Sequence, residues 1–265
     1  MIFAIPFPAI DPVLIEIGPF AIRWYALAYV AGLIIGWFYV ARLAREKPEA
    51  MARREVDDFL LWAILGVILG GRLGYVLFYN PVLFLDHPLQ IFYVWQGGMS
   101  FHGGLIGVAT ALVLFCRVRR LSLLMVSDLI ACAAPIGLFL GRLANFINGE
   151  LFGRVTDVPW AMVFPNDRTG LPRHPSQLYE AALEVVLLFL ILLAALRLWR
   201  AREKPGLLTG VFLAGYGILR GFGELFRQPD AHLGFIFAGA TMGQLLSLPV
   251  LAFGLYFIAR AVRKP

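Results

Sequence analysis

Long apolar stretches alternate with short polar ones along nearly the whole chain, at about 22–41, 57–79, 99–116, 124–146, 176–196, 207–226 and 235–259. Each holds close to twenty residues, and a helix of that length crosses a hydrocarbon core of roughly 30 Å. The pattern predicts an all-α integral membrane protein with seven transmembrane helices. The first 21 residues are also apolar, but Pro6, Pro8, Pro12 and Pro19 interrupt them and no basic leader precedes them. They read as an interfacial segment rather than a cleavable signal peptide.

Composition agrees with the pattern. The chain is 60% hydrophobic and 15% charged, with a mean hydropathy of +0.78, whereas a soluble domain carries about 25% charged residues. Charge then adds a direction. Of the 23 Lys and Arg residues, fifteen lie after the first, third, fifth and seventh spans, in clusters at 42–54, 117–120, 197–204 and 260–264. The loops on the other side hold only Arg154, Arg168, Arg173 and Arg227. Short cytoplasmic loops carry the basic excess, so the N-terminus is expected outside and the C-terminus in the cytoplasm. The same asymmetry accounts for the net charge of +6 without a nucleic-acid partner.

Every inner loop is short and basic. Two outer segments, about 80–98 and 147–175, are longer than turns require, and long loops in compact chains tend to be functional. The first is rich in aromatics, as expected at headgroup level. The second, with its short Val158-Pro-Trp-Ala-Met-Val-Phe-Pro165 run, suggests a small external cap with two strands. Residues 1–265 otherwise read as a single membrane domain without repeats or low-complexity segments. Cys116 and Cys132 have neither CxxC spacing nor a histidine cluster beside them, so disulfide and zinc readings both fail.

Against this apolar background the polar residues stand out, because ionisable groups at membrane depth are costly and mostly mark substrate or proton sites. His102 lies among glycines in Gly97-Gly-Met-Ser-Phe-His-Gly-Gly-Leu-Ile-Gly107, at the mouth of the third span. The fourth span ends in Gly141-Arg-Leu-Ala-Asn-Phe-Ile-Asn-Gly-Glu-Leu-Phe-Gly153, where Arg142, Asn145 and Asn148 share a helical face. Arg142 alone would pass for a snorkelling residue; its polar neighbours argue for a site. Arg220 and Glu224, in Tyr216-Gly-Ile-Leu-Arg-Gly-Phe-Gly-Glu224, have the spacing of a helical ion pair, with Tyr216 one turn earlier on the same face. Arg173-His-Pro-Ser-Gln-Leu-Tyr-Glu180 opens the fifth span with Pro175 at a first-turn position, and His174 and Gln177 there are either functional or tethers of the outer segment. Trp24 and Tyr25 begin the first span as an interfacial pair. Arg72, between glycines in the second span, has Asp57, Asp58 or lipid as candidate partners. His87 and His232 have no supporting constellation. This set suits a membrane enzyme, and equally a secondary transporter or lipid carrier, although repeated halves and paired broken helices are missing from the sequence.

The three motifs HGGLIG, GRLANFINGELFG and RHPSQLYEA, in this order on an N-out seven-span chain, resemble the bacterial prolipoprotein diacylglyceryl transferase family over essentially the whole length. The chain departs from the pattern at Ala144, where many relatives carry glycine. The resemblance implies transfer of the diacylglyceryl group of phosphatidylglycerol to the thiol of the lipobox cysteine of a preprolipoprotein, forming a thioether and releasing glycerol phosphate, with no metal or redox cofactor. It implies a place in the bacterial cytoplasmic membrane with the active site toward the external, periplasmic side. On this reading His102, Arg142 and Arg220 are catalytic, and Tyr25, Asn145, Glu150, Gly153, Tyr216 and Glu224 bind substrate. Permanently charged, bidentate guanidinium groups suit the departing phosphate. An imidazole suits the acceptor thiol, which has a reference pKa near 8.5.

Overall fold

A computed structural model describes residues 5–263 apart from 9, 19, 230–233 and 238. In chain order it contains strands β1 (Ile5–Pro6), β2 (Val13–Ile17) and β3 (Phe20–Arg23), then helices α1 (Trp24–Ala44), α2 (Arg53–Phe78), α3 (Pro81–Asp86), α4 (Phe101–Arg119) and α5 (Leu123–Ile147). Strand β4 (Met162–Val163) follows, and then α6 (Ser176–Leu198), α7 (Leu207–Gly223) and α8 (Met242–Arg263). Six of these, α1, α2, α4, α5, α6 and α8, are long and apolar enough to cross a membrane. The remaining expected span is α7, a shorter apolar helix of 17 residues. The last helix begins at Met242 and not near 235, because the segment before it turns back on itself through a Phe237–Ala240 bridge.

The chain divides into two compact units. One comprises residues 40–127, and its centre is the contact between α2 and α4. Gly66, Gly70 and Gly74 form a stripe along one face of α2, and Gly103 and Gly107 one along α4. A Cβ on Gly107 would lie 2.0 Å from the Gly66 carbonyl oxygen, and one on Gly103 would lie 2.3 Å from that of Gly70. Without a hydrophobic driving force between helices in lipid, such backbone approach is a main source of association. The Ser100 hydroxyl caps α4 by accepting from Gly103 N at 3.1 Å. Asp57 and Asp58 pair with Arg53 and Arg119.

The other unit comprises residues up to 39 and from 128 onward. Its helices also meet through glycines: a Cβ on Gly254 of α8 would lie 2.3 Å from Ala214 N of α7. Asp128, buried on α5, accepts from Gly206 N, Thr209 N and the Thr209 hydroxyl at 2.7–2.8 Å, and so caps the otherwise bare N-terminus of α7. Strands β2 and β3 form an antiparallel hairpin that runs straight into α1. The expected pair of strands within 147–175 is corrected. Among the described residues that segment contributes one strand, β4, whose partner is β1 in parallel register, Ile5 opposite Met162. The rest of the segment is held by isolated bridges, Gly153–Arg227, Val155–Arg173 and Met162–Arg173. Cys116 and Cys132 are free and buried.

Candidate active site

Two carboxylates on α6 organise the polar interior of the second unit. Glu180 and Glu184 stand four residues apart, on one helical face, and are fully buried in an apolar span. Between 181 and 187 the helix widens into a π-type turn, a local departure frequently found at functional sites. Each carboxylate is met by two arginines from other helices. Arg142 of α5 places Nη1 2.9 Å from Glu180 Oε2 and donates from Nη2 to Glu184 Oε2 at 3.0 Å. The first of these is a charge contact without hydrogen-bond alignment. Arg220 of α7 donates from Nη1 to Glu180 Oε1 at 2.8 Å and Glu184 Oε1 at 3.3 Å, and from Nη2 to Glu224 Oε1. Arg227 approaches Glu180 at 3.5 Å and Glu224 at 3.7 Å. The Thr241 hydroxyl completes Glu224 by donating to Oε2 at 2.6 Å.

Three guanidinium groups thus face three carboxylates, and the buried charges are compensated as their cost requires. The compensation is not symmetric in space. The side chains of Arg142 and Arg220 are 14% and 15% exposed, those of Glu180 and Glu184 0% and 1%. The glutamates form the inner layer and the arginines the accessible one. A guanidinium has five N–H donors, so anchoring from behind leaves each arginine with donors to offer an anion in front. Tyr216, one turn before Arg220, stands in the field of Glu184 and both arginines.

A second polar group adjoins the end of α5. Asn145 and Asn148 both donate to Glu150 Oε1, at 2.8 and 3.2 Å, and Gln177 Nε2 donates to the Glu150 carbonyl at 2.6 Å. Tyr25 lies beside Asn145 and Glu150, its hydroxyl 3.3 Å from that of Tyr29. Gly153 is enclosed: an added Cβ would lie 2.5 Å from the Phe226 carbonyl oxygen and 2.6 Å from His174 Cβ. The chain crossing here tolerates glycine alone.

Of the residues singled out in the sequence, Arg142, Arg220, Tyr216 and Glu224 converge on one cluster, and Tyr25, Asn145 and Glu150 on its neighbour. His102 belongs to the other compact unit, in the first turn of α4. His174 is a tether: its Nδ1 lies 3.1 Å from the Tyr179 hydroxyl, which accepts from Trp160 Nε1 at 2.6 Å, and burial pushes its pKa down. Arg173 is likewise structural, clasping Asp167 and donating to Gly153 O and Gln228 Oε1 at 3.3 and 3.2 Å. That clasp holds the Asp167 carboxyl at a pKa of about 2. Arg72 pairs with neither Asp57 nor Asp58, which hold Arg53 and Arg119. Its guanidinium donates to the backbone carbonyls of Gln90, Ile91, Gly97 and Gly98 and lies over the Phe84 ring, locking the strap that leads to Ser100 and α4. His87 is in the connection after α3, and His232 is outside the described residues.

Sequence reasoning missed Glu180, Glu184, Arg227 and Thr241. The signal for the first two was present: two carboxylates four apart at the start of an apolar span, the same spacing that flagged Arg220 and Glu224.

Residues 12–260 match the family model described as prolipoprotein diacylglyceryl transferase. A relative from Paramagnetospirillum magneticum is 61% identical over 265 residues, covering 100% of this chain and 98% of its own. One from Rhodospirillum rubrum is 61% identical over 267 residues, with 99% and 97% covered. One from Azospirillum brasilense is 58% identical over 263 residues, with 99% and 98% covered. All three carry the name phosphatidylglycerol–prolipoprotein diacylglyceryl transferase.

Proposed function

We propose, from the premise that this chain belongs to the prolipoprotein diacylglyceryl transferase family, that its arginine–glutamate cluster is the phosphate-binding part of the active site. The chain is a multi-pass membrane enzyme that transfers the diacylglyceryl group of phosphatidylglycerol to prolipoprotein. The observation that carries the site assignment is the layering of the cluster, with Glu180 and Glu184 sealed behind Arg142 and Arg220.

In the reaction the cysteine sulfur of the acceptor bonds to the glyceryl carbon that carries the phosphate ester. The carbon–oxygen bond breaks, its electron pair stays on the phosphate oxygen, and glycerol phosphate leaves. Negative charge therefore grows on the phosphate as the bond lengthens. Preorganised donors aimed at such charge are typically worth about 3–4 kcal/mol each in a dry site. Arg142 and Arg220 are assigned that role, held in fixed planes by carboxylates that cost no reorganisation during the step. The thiol proton must go to a base, and His102 is assigned to it on residue type and on its glycine-flanked place in the first turn of α4. Tyr25, Asn145, Glu150, Gly153, Tyr216 and Glu224 are assigned to substrate binding. Glu224 acts through its contacts to Arg220.

For the topology we infer seven spans, with the short helix α7 crossing as the sixth in chain order. Its 17 residues extend to about 25 Å at the helical rise, near the lower limit for a span. The bias of basic residues supports an N-terminus outside, a C-terminus in the cytoplasm and the segment 147–175 on the external side, and the family supports a bacterial inner membrane as the location. The transferase reading is favoured over a transporter or lipid carrier by the family match across 12–260. It is tested by incubating the purified protein with phosphatidylglycerol and a lipobox peptide: the peptide gains the mass of one diacylglyceryl group on cysteine, and an unmodified peptide refutes the reading.

A further inference from the structure

Gln177 is fully buried, at 0% exposure, yet half of its carboxamide has no use in the fold. The amide orientation is dictated by its surroundings, since Nε2 donates to the Glu150 carbonyl at 2.6 Å and an oxygen in that place would face another oxygen. The carboxamide oxygen therefore projects from the opposite side of the group, and among the described residues no donor reaches it. Buried acceptors left without a donor are rare in folded proteins and call for an explanation. A tether to the outer segment needs only the nitrogen. It does not explain a buried acceptor kept free.

The location of Gln177 supplies the explanation. It precedes Glu180 by three residues and Glu184 by seven, so all three lie along one face of α6, with Gln177 one turn from the layer that holds Arg142 and Arg220. On its other side is the group formed by Glu150, Asn145 and Asn148. An acceptor thus flanks a cluster that presents cationic donors. The ligand that satisfies both carries an anion and, within a few ångströms of it, a hydroxyl.

Resting on the assignment of the cluster to phosphate, we propose that Gln177 is a specificity-determining residue for the donor lipid, its Oε1 accepting a hydrogen bond from a hydroxyl of the glycerol headgroup. The headgroup alcohol stays attached to phosphate when the diacylglyceryl carbon–oxygen bond breaks. Gln177 therefore reads the part of the donor that leaves, and it takes no part in bond making or breaking. Sites built to hydrogen-bond a hydroxyl discriminate against analogues lacking it far more strongly than apolar pockets do against a missing methylene.

The test compares two donors, phosphatidylglycerol and phosphatidylpropanol, whose headgroup lacks both hydroxyls while the phosphodiester and the departing phosphate remain. Steady-state kcat/KM is measured for each donor in the wild type, in Gln177→Met, which fills the space without an acceptor, and in Gln177→Asn, which withdraws the oxygen by one methylene. The ratio between donors cancels any loss of folded enzyme. We expect a wild-type preference for phosphatidylglycerol of about tenfold or more, expressed mainly in KM, falling to near unity in both variants while phosphatidylpropanol turnover persists. An equal ratio in wild type and variants, or no wild-type preference, overturns the proposal. Loss of turnover with both donors in both variants overturns it as well and assigns Gln177 a structural role. Failure of the wild type on phosphatidylglycerol itself would refute the transferase reading, which keeps the two failures apart.

Discussion

Arg142 on α5 and Arg220 on α7 reach the same two carboxylates, each guanidinium within 3.3 Å of both Glu180 and Glu184. The two arginines are 78 residues apart in sequence and come from different helices. Their relative position is set by a third helix, so a change at α6 is felt at both.

Glu224 ties Arg220 a second time and is itself held by Thr241. Removing one member of a buried pair strands the other, a penalty of roughly 3–5 kcal/mol when fully buried. We expect Glu224→Gln and Arg220→Gln each to lower detergent-resistant folding strongly, and the double variant to lose much less than the sum. Simple additivity in thermal unfolding of the three proteins would show that the two residues do not interact energetically.

His102→Gln retains hydrogen-bonding capacity and removes the titratable base. Loss of a general base typically costs about 10²- to 10⁴-fold in rate, and we expect kcat to fall within that span at unchanged expression. Near-normal turnover would return His102 to the role of a helix-entry residue.

Acid should weaken the segment around Asp167. Its carboxyl titrates at about 2 because Arg173 donates to it, below the unfolded value near 3.9. A depressed carboxylate pKa contributes stability that is complete above the unfolded value and is lost as the pH falls toward the folded one. The gap in unfolding temperature between wild type and Asp167→Asn should therefore be constant above about pH 5 and close as the pH falls below 4. His174 adds a slope of the same sign at higher pH, since burial lowers its pKa and protonation favours the unfolded chain below about 6.5. A gap that widens in acid would contradict the pairing.

Topology is checked by single cysteines at exposed positions. Arg168→Cys should react with an impermeant maleimide in intact cells, and Glu203→Cys should react only after permeabilisation. The reverse pattern would overturn the N-out arrangement.

Much of this was legible in the sequence because membrane spans are written locally. Twenty apolar residues, an arginine three positions from an asparagine, or a glutamate four positions from an arginine are visible in a short window, and Arg142, Asn145, Arg220 and Glu224 were found in that way. What escaped was written between distant segments or in the backbone. The four-residue spacing of Glu180 and Glu184 is visible locally, but which groups they hold is not, since their partners come from α5 and α7, 36 to 42 residues away. Arg72 pairs with backbone carbonyls and not with Asp57 or Asp58, which no residue name reveals. Two strands are expected within 147–175; the one present among the described residues, β4, pairs with Ile5–Pro6, a contact across some 150 residues that local turn signals do not encode.

Arg142 and Arg220 are assigned to act together as a two-pronged phosphate clamp, and lysine is the substitution that isolates this role. Lysine keeps the charge as a single point and removes the planar fork, while a merely snorkelling arginine accepts lysine with little loss. The measurement is transfer of the diacylglyceryl group to a lipobox peptide by purified wild type, Arg142→Lys and Arg220→Lys, followed by peptide mass alongside phosphatidylglycerol binding. A loss of about 10²-fold or more is expected in each variant, with weakened lipid binding. Full transfer by both lysine variants would contradict the clamp.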